Sequence, residues 1–131
     1  MLWRRLVLLG TPLALAVLEG FHPQPADVAE AIEEGPWLFW FHMLQLLLMG
    51  LITLAVYLLT DGLQGSPVSV SRWAIGVFAV FYSAYDAAAG IATGFVLRAA
   101  RDLSTEGQIA VFDAAIDMPG VPGGDDAAVV R

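Results

Sequence analysis

Between Arg72 and Arg98 the chain reads WAIGVFAVFYSAYDAAAGIATGFVL, an apolar run whose only charged side chain is Asp86, near its middle. At ~1.5 Å per helical residue the two arginines stand roughly 39 Å apart, enough to cross a bilayer. A helix there puts a carboxylate close to mid-membrane. Few arrangements tolerate that: an acid in hydrocarbon finds a partner, lines water or takes up a proton. The rest of the chain has to be arranged around it. The composition agrees, since 131 residues that are 58% hydrophobic, with a mean hydropathy of +0.71, leave too little polar surface to cover a water-soluble domain.

A second span is Trp37–Leu59, WLFWFHMLQLLLMGLITLAVYLL, long enough to cross without stretching. Gly35-Pro36 marks its start, because proline is tolerated in a first helical turn; Trp37 and Trp40 fit an interfacial belt, and Thr60-Asp61-Gly62 marks its end. Gln64–Ser71 is then a short turn, so spans 37–59 and 72–98 form an antiparallel hairpin. The N-terminal stretch has two readings. One is a signal peptide cut near Ala14-Leu15-Ala16; the other, adopted here, is a retained first span over residues 3–21, kinked at Pro12, with Trp3 at the interface and Arg4 and Arg5 snorkelling. The expected fold is therefore all-α, an integral membrane helical bundle of three transmembrane helices within residues 1–100.

The connector Glu19–Pro36 holds Glu19, Asp27, Glu30, Glu33 and Glu34 and no basic residue. Pro23 and Pro25 exclude helix at its start, whereas Ala26–Glu34 suits a short acidic helix with Asp27 near its N-cap. It reads as a solvated loop, with a cation-gathering mouth as the alternative. After Arg98, residues 101–117 suit a short interfacial helix capped by Ser104 or Thr105, with Ile109, Phe112 and Ile116 on one face. Residues 118–131 have the Pro, Gly and charge content of a disordered tail.

Charge narrows partners and orientation. The net charge of −7 argues against nucleic acid and against electrostatic attraction to anionic headgroups. With the N-terminus inside, Arg4, Arg5 and Arg72 lie on the cytoplasmic side against Arg98 and Arg101 outside, which favours that orientation. All six basic residues are arginine, which with abundant Ala and Gly suggests a GC-rich bacterial genome, and the expected location is a bacterial inner membrane. There is no cysteine, hence no disulfide, thiolate metal site or cysteine nucleophile.

The polar residues of the two certain spans fall in stripes. At about 100° per residue His42, Gln45, Thr53, Tyr57 and Thr60 share one arc of the second span, and Tyr82, Ser83, Asp86, Gly90 and Thr93 share one arc of the third. Polar groups cost most when turned to lipid, so the stripes should face each other. If Trp37 and Arg98 mark the same surface, residues whose numbers sum to about 135 lie at equal depth: His42 with Thr93, Gln45 with Gly90, Met49 with Asp86, Thr53 with Tyr82. On that register His42 and Asp86 differ in depth by roughly 10 Å, too far for a direct ion pair.

Asp86 is the leading candidate for chemistry, either bonded to Ser83, Thr53 or a carbonyl as interhelical glue, or working as a proton or cation relay with Thr53, Tyr82, Ser83 and Gln45. Gly90-Ile-Ala-Thr-Gly94 is a GxxxG, with Ala79, Ser83 and Ala87 continuing the small-residue spacing on an adjoining strip, and marks close helix packing within the chain or between two copies. His42 and His22, with Glu19 as an added oxygen ligand, form a weak set for a divalent metal or haem b; the expectation is no cofactor. A lone acid is not a two-carboxylate catalyst, and there is no Gly-rich phosphate loop after a strand, so an enzyme is not the favoured class.

The stretches WLFWFHMLQ and FAVFYSAYDAAAGIATG, together with the Phe21-His22-Pro23 corner, resemble those of uncharacterised small multi-pass membrane proteins of bacteria. The resemblance covers residues 21–97 and implies membrane helices without implying an activity; such proteins often continue into further spans, and a shortened member is the expectation that the resemblance carries. The function expected from the whole reading is a non-enzymatic membrane scaffold or partner-binding protein, seated in the bilayer and associating with itself or with another membrane protein. Proton or cation transport through Asp86 is the alternative.

Overall fold

The computed structural model describes residues 2–116, and its regular structure is helical, with no strand among them; the tail expected over 118–131 lies outside the described residues. Helix α1 covers residues 2–19, α2 is Val28–Leu59, α3 is Ser66–Asp102 and α4 is Thr105–Ile116. Helices α2 and α3, of 32 and 37 residues, are long and apolar enough to cross a membrane. The chain divides into two compact units, one made of the residues up to His22 with Met43–Ala84, the other of Pro23–His42 with the residues from Tyr85 onward.

In the first unit α1 is α-helical over Leu2–Arg5, widens to a π-helical stretch at Leu6–Gly10, and returns to α geometry at Thr11–Glu19. Pro12 stands in the first turn of that last piece. Its missing N–H removes a rung of the hydrogen-bond ladder, so the disturbance expected from this proline takes the form of a wide turn just before it. Arg4 fastens α1 to the end of α2, donating to Asp61 at 3.0 Å and to the Leu58 carbonyl at 3.0 Å. Helix α2 stops at Leu59, Gly62 and Gly65 take φ of +78° and +110° to reverse the chain, and α3 starts at Ser66, earlier than the expected boundary. Pro67 does not delay it, because a first-turn N–H has no intrahelical partner to lose.

In the second unit the acidic segment is not a separate helix. Helix α2 begins at Val28, where Asp27 Oδ1 accepts the Glu30 N–H at 2.9 Å and Glu30 Oε2 accepts the Ala26 N–H at 2.7 Å. This reciprocal arrangement is close to a capping box and satisfies N–H groups that the helix leaves over. Pro36 therefore lies inside α2 and does not start it, at a cost of about 3 kcal/mol. Packing offsets that cost. Ala31, Ile32, Leu97 and Ala100 form a buried core, flanked by Val28, Leu38, Val111 and Phe112, and burying each large aliphatic side chain contributes roughly 1.5–3 kcal/mol. Where α2 meets α3 the backbones nearly touch, for a Cβ on Gly35 would stand 2.8 Å from the Arg98 nitrogen. Helix α4, capped by Ser104 Oγ accepting the Gly107 N–H at 3.3 Å, packs through Val111 and Phe112. Of the face that spacing drew through Ile109 and Phe112, Phe112 packs on the core and Ile109 is exposed.

Candidate functional site

Asp86 closes the α-helical first part of α3, and a π-helical stretch, Ala87–Ala92, follows before α geometry resumes at Thr93. π-Turns inside α-helices occur often at functional sites. Asp86 is 2% exposed, and its Oδ1 lies 2.6 Å from Nδ1 of His42, a side chain that is itself largely buried. The imidazole is seated on Gly90, where any Cβ would collide with the ring. Phe41, fully buried, closes one side with its ring at 5.2 Å and 77° to the imidazole. One turn farther along, Gly94 meets the backbone of Phe39, and a Cβ there would stand 2.8 Å from the Phe39 Cα. Both glycines of the GxxxG thus face α2 of the same chain, in keeping with the close approach that small residues allow.

This pair corrects the depth argument from sequence. The Gly35–Arg98, Phe39–Gly94 and His42–Gly90 contacts shift the register about two to three residues from the one anchored on Trp37 and Arg98, or roughly 3–5 Å at 1.5 Å per residue. His42 consequently lies beside Gly90 and Asp86 and not beside Thr93 alone. Two features close the remaining gap. The imidazole and carboxylate reach toward each other across one turn, and that turn is π-helical, which changes the direction in which α3 presents its side chains. Gly90 is buried, whereas Ala87, expected on the adjoining strip, is exposed.

A His–Asp pair of this kind carries one proton in its neutral form, either as imidazolium with carboxylate or as imidazole with carboxylic acid. Adding a proton gives imidazolium with carboxylic acid; removing one gives imidazole with carboxylate. Asp86 Oδ2 is buried with no hydrogen-bond partner among the described residues, as is Thr93 Oγ1. An orphaned carboxylate oxygen in a buried site calls for an explanation that a fully satisfied structural bond would not.

The first unit holds a different polar cluster. Gln45, 3% exposed, donates through Nε2 to Glu19 and, at 2.7 Å, to the Tyr82 hydroxyl. One amide thereby joins the end of α1, the middle of α2 and α3. Sequence reasoning placed Gln45 and Tyr82 on facing stripes but considered Glu19 only as a connector acid or a metal ligand. The available signal was position: Glu19 ends the apolar stretch that begins at Leu6, so it is carried inward by α1. Thr53 donates at 3.0 Å to the Met49 carbonyl on its own helix, while Ala79 and Ser83 are half-buried on α3. His22 is exposed just past α1. Glu19 is taken by Gln45 and His42 by Asp86, and among the described residues no three His, Cys, Asp or Glu side chains group as metal ligands.

Compared with known proteins, the chain matches no family model, no curated protein and no solved structure.

Proposed function

We propose that the chain is a three-span protein of the bacterial inner membrane, its N-terminus cytoplasmic, in which the His42–Asp86 pair takes up and gives up protons. The observation that carries this reading is the pair itself: a buried carboxylate bonded at 2.6 Å to a largely buried imidazole, with Oδ2 left over. Ionisable groups inside membrane helices are expensive, and where they occur they mark ion or proton pathways more often than ornament. Two lengths of helix support the bilayer setting for α2 and α3. Retention of α1 as a span is supported by its ties to Asp61 and Gln45.

A scaffold role, in which the pair only fixes one helix against another, is favoured by a separate observation. Gly90 and Gly94 seat His42 and the Phe39 backbone so closely that the pair looks built for packing. Proton flux separates the two. In vesicles loaded with a pH-sensitive dye and given an inside-negative potential by outward potassium diffusion, the protein should admit protons faster than protein-free vesicles, and Asp86→Asn should return the rate to that background. A wild-type rate equal to background would sink proton handling and leave the scaffold.

A further inference from the structure

The turn between α2 and α3 carries a second polar arrangement that the His42–Asp86 reading does not use. Arg72 is held in place by Thr60 and Tyr57. Its Nε donates to Thr60 Oγ1 at 3.0 Å, its Nη2 donates to the Thr60 carbonyl at 2.7 Å, and its guanidinium lies 5.9 Å from the centre of the Tyr57 ring. The Tyr57 hydroxyl returns a bond to the Arg72 carbonyl at 3.3 Å. These contacts occupy the Nε–Nη2 edge of the guanidinium. A guanidinium has a second edge, Nη1–Nη2, with the fork geometry that matches two oxygens of a phosphate.

Arg72 lines an open cleft of about 320 Å³ with Tyr57, Ser69 and Trp73. The Ser69 hydroxyl stands one turn before Arg72 on α3 and is exposed, able to donate to the same anion. Trp73 is 76% exposed, and Leu59 and Val70 nearby in the sequence are also bare. A fixed cation and a hydroxyl beside uncovered apolar surface fit a molecule with a phosphate at one end and hydrocarbon at the other. The net charge of −7 does not oppose this, because the local balance differs: among the charged side chains described in this unit, Arg4 is paired with Asp61, and Arg5 and Arg72 stand against Glu19 alone.

We infer that Arg72, Ser69 and Trp73 form a binding site for the phosphate of an anionic phospholipid headgroup, with inorganic phosphate the competing source of the same chemistry. The inference rests on the membrane reading given above. Arg72 grips the phosphate through its unused edge, Ser69 donates to it, and Trp73 lies along the glycerol and upper chain, where indole rings settle at membrane interfaces. The contacts that Arg72 makes to Thr60 hold the fork in place before the lipid arrives, which reduces the ordering that binding requires.

The test uses full-length protein whose other three tryptophans, Trp3, Trp37 and Trp40, are changed to Phe, reconstituted in phosphatidylcholine vesicles. Quenching of Trp73 is compared for brominated phosphatidylglycerol and brominated phosphatidylcholine at equal mole fraction. One well-placed arginine should enrich the anionic lipid about five-fold at Trp73. Arg72→Gln should abolish that preference. Ser69→Ala, which removes no bond within the protein, should weaken it and serves if Arg72→Gln does not incorporate. Equal quenching by both lipids overturns the site while leaving the membrane reading intact; quenching by neither overturns the membrane reading itself. Loss of the preference on adding inorganic phosphate at millimolar concentration, at constant ionic strength, would show a general anion site and overturn the lipid assignment.

Discussion

The imidazole of His42 rests on the backbone of Gly90, at a point on α3 where no side chain can be added without moving the ring. Substituting this glycine should therefore uncouple the acid from its partner without touching either. Gly90→Ala is expected to destabilise the protein by about 1–3 kcal/mol, the usual cost of overpacking a tight site. Gly94→Ala should cost at least as much, since its neighbour is the Phe39 backbone, which cannot rotate away. Gly76→Ala has nothing within 4 Å of the new carbon and should be neutral or slightly stabilising. Unfolding in mixed micelles, followed by circular dichroism, ranks the three; a Gly90 variant as stable as the Gly76 variant would contradict the seating.

The bond between His42 and Asp86 should appear as coupling. His42→Leu leaves a buried carboxylate unpaired and should cost about 3–5 kcal/mol. Removing both partners, in a His42→Leu/Asp86→Leu variant, should cost clearly less than the two single changes added together, with about 1–3 kcal/mol of interaction in the cycle. Additivity to within about 0.5 kcal/mol would mean the two side chains do not meet.

Pro36 offers a change in the opposite direction. It stands inside α2, so Pro36→Ala restores a helical N–H and should stabilise the protein by up to about 3 kcal/mol. A loss of stability instead would show that the Gly35 approach to Leu97 and Arg98 depends on the proline.

The Arg4–Asp61 pair has both side chains more than a third exposed. Such pairs contribute about 0–1 kcal/mol, and added salt screens them further. Asp61→Asn should lower stability within that range, with the difference shrinking as salt rises. Arg4→Ala should cost more than Asp61→Asn, because it also removes the bond to the Leu58 carbonyl.

Much of this was legible in the residues themselves. The apolar middles of α2 and α3 follow from their runs, and the turn between them follows from Gly62 and Gly65, whose positive φ only glycine adopts easily. Two things were not legible. Pro36 looked like a beginning, because local rules see a proline and cannot weigh it against the distant core of Ile32, Leu97, Val111 and Phe112. The partner of Asp86 was missed because register was inferred from end markers, Trp37 and Arg98, and because a steady 100° step conceals a change of helical pitch at Ala87–Ala92. Glu19 shows the same limit from another side: its approach to Gln45 depends on where α1 docks, which no periodicity within α1 encodes.

The pitch change just after Asp86 behaves as a single residue spliced into an otherwise regular coil. Forcing Ala87–Ala92 into ordinary α pitch with no residue removed would turn everything before the splice by about 100° relative to everything after it, and the acid would point away from the imidazole although both residues were still present. Removing one alanine from Ala87–Ala89 at the same time would cancel that turn, because the wide turn already absorbs the extra residue. A homologue should thus be judged by its spacing: one residue fewer between the matching aspartate and threonine belongs with an unbroken α-helix, and an unchanged spacing belongs with the wide turn.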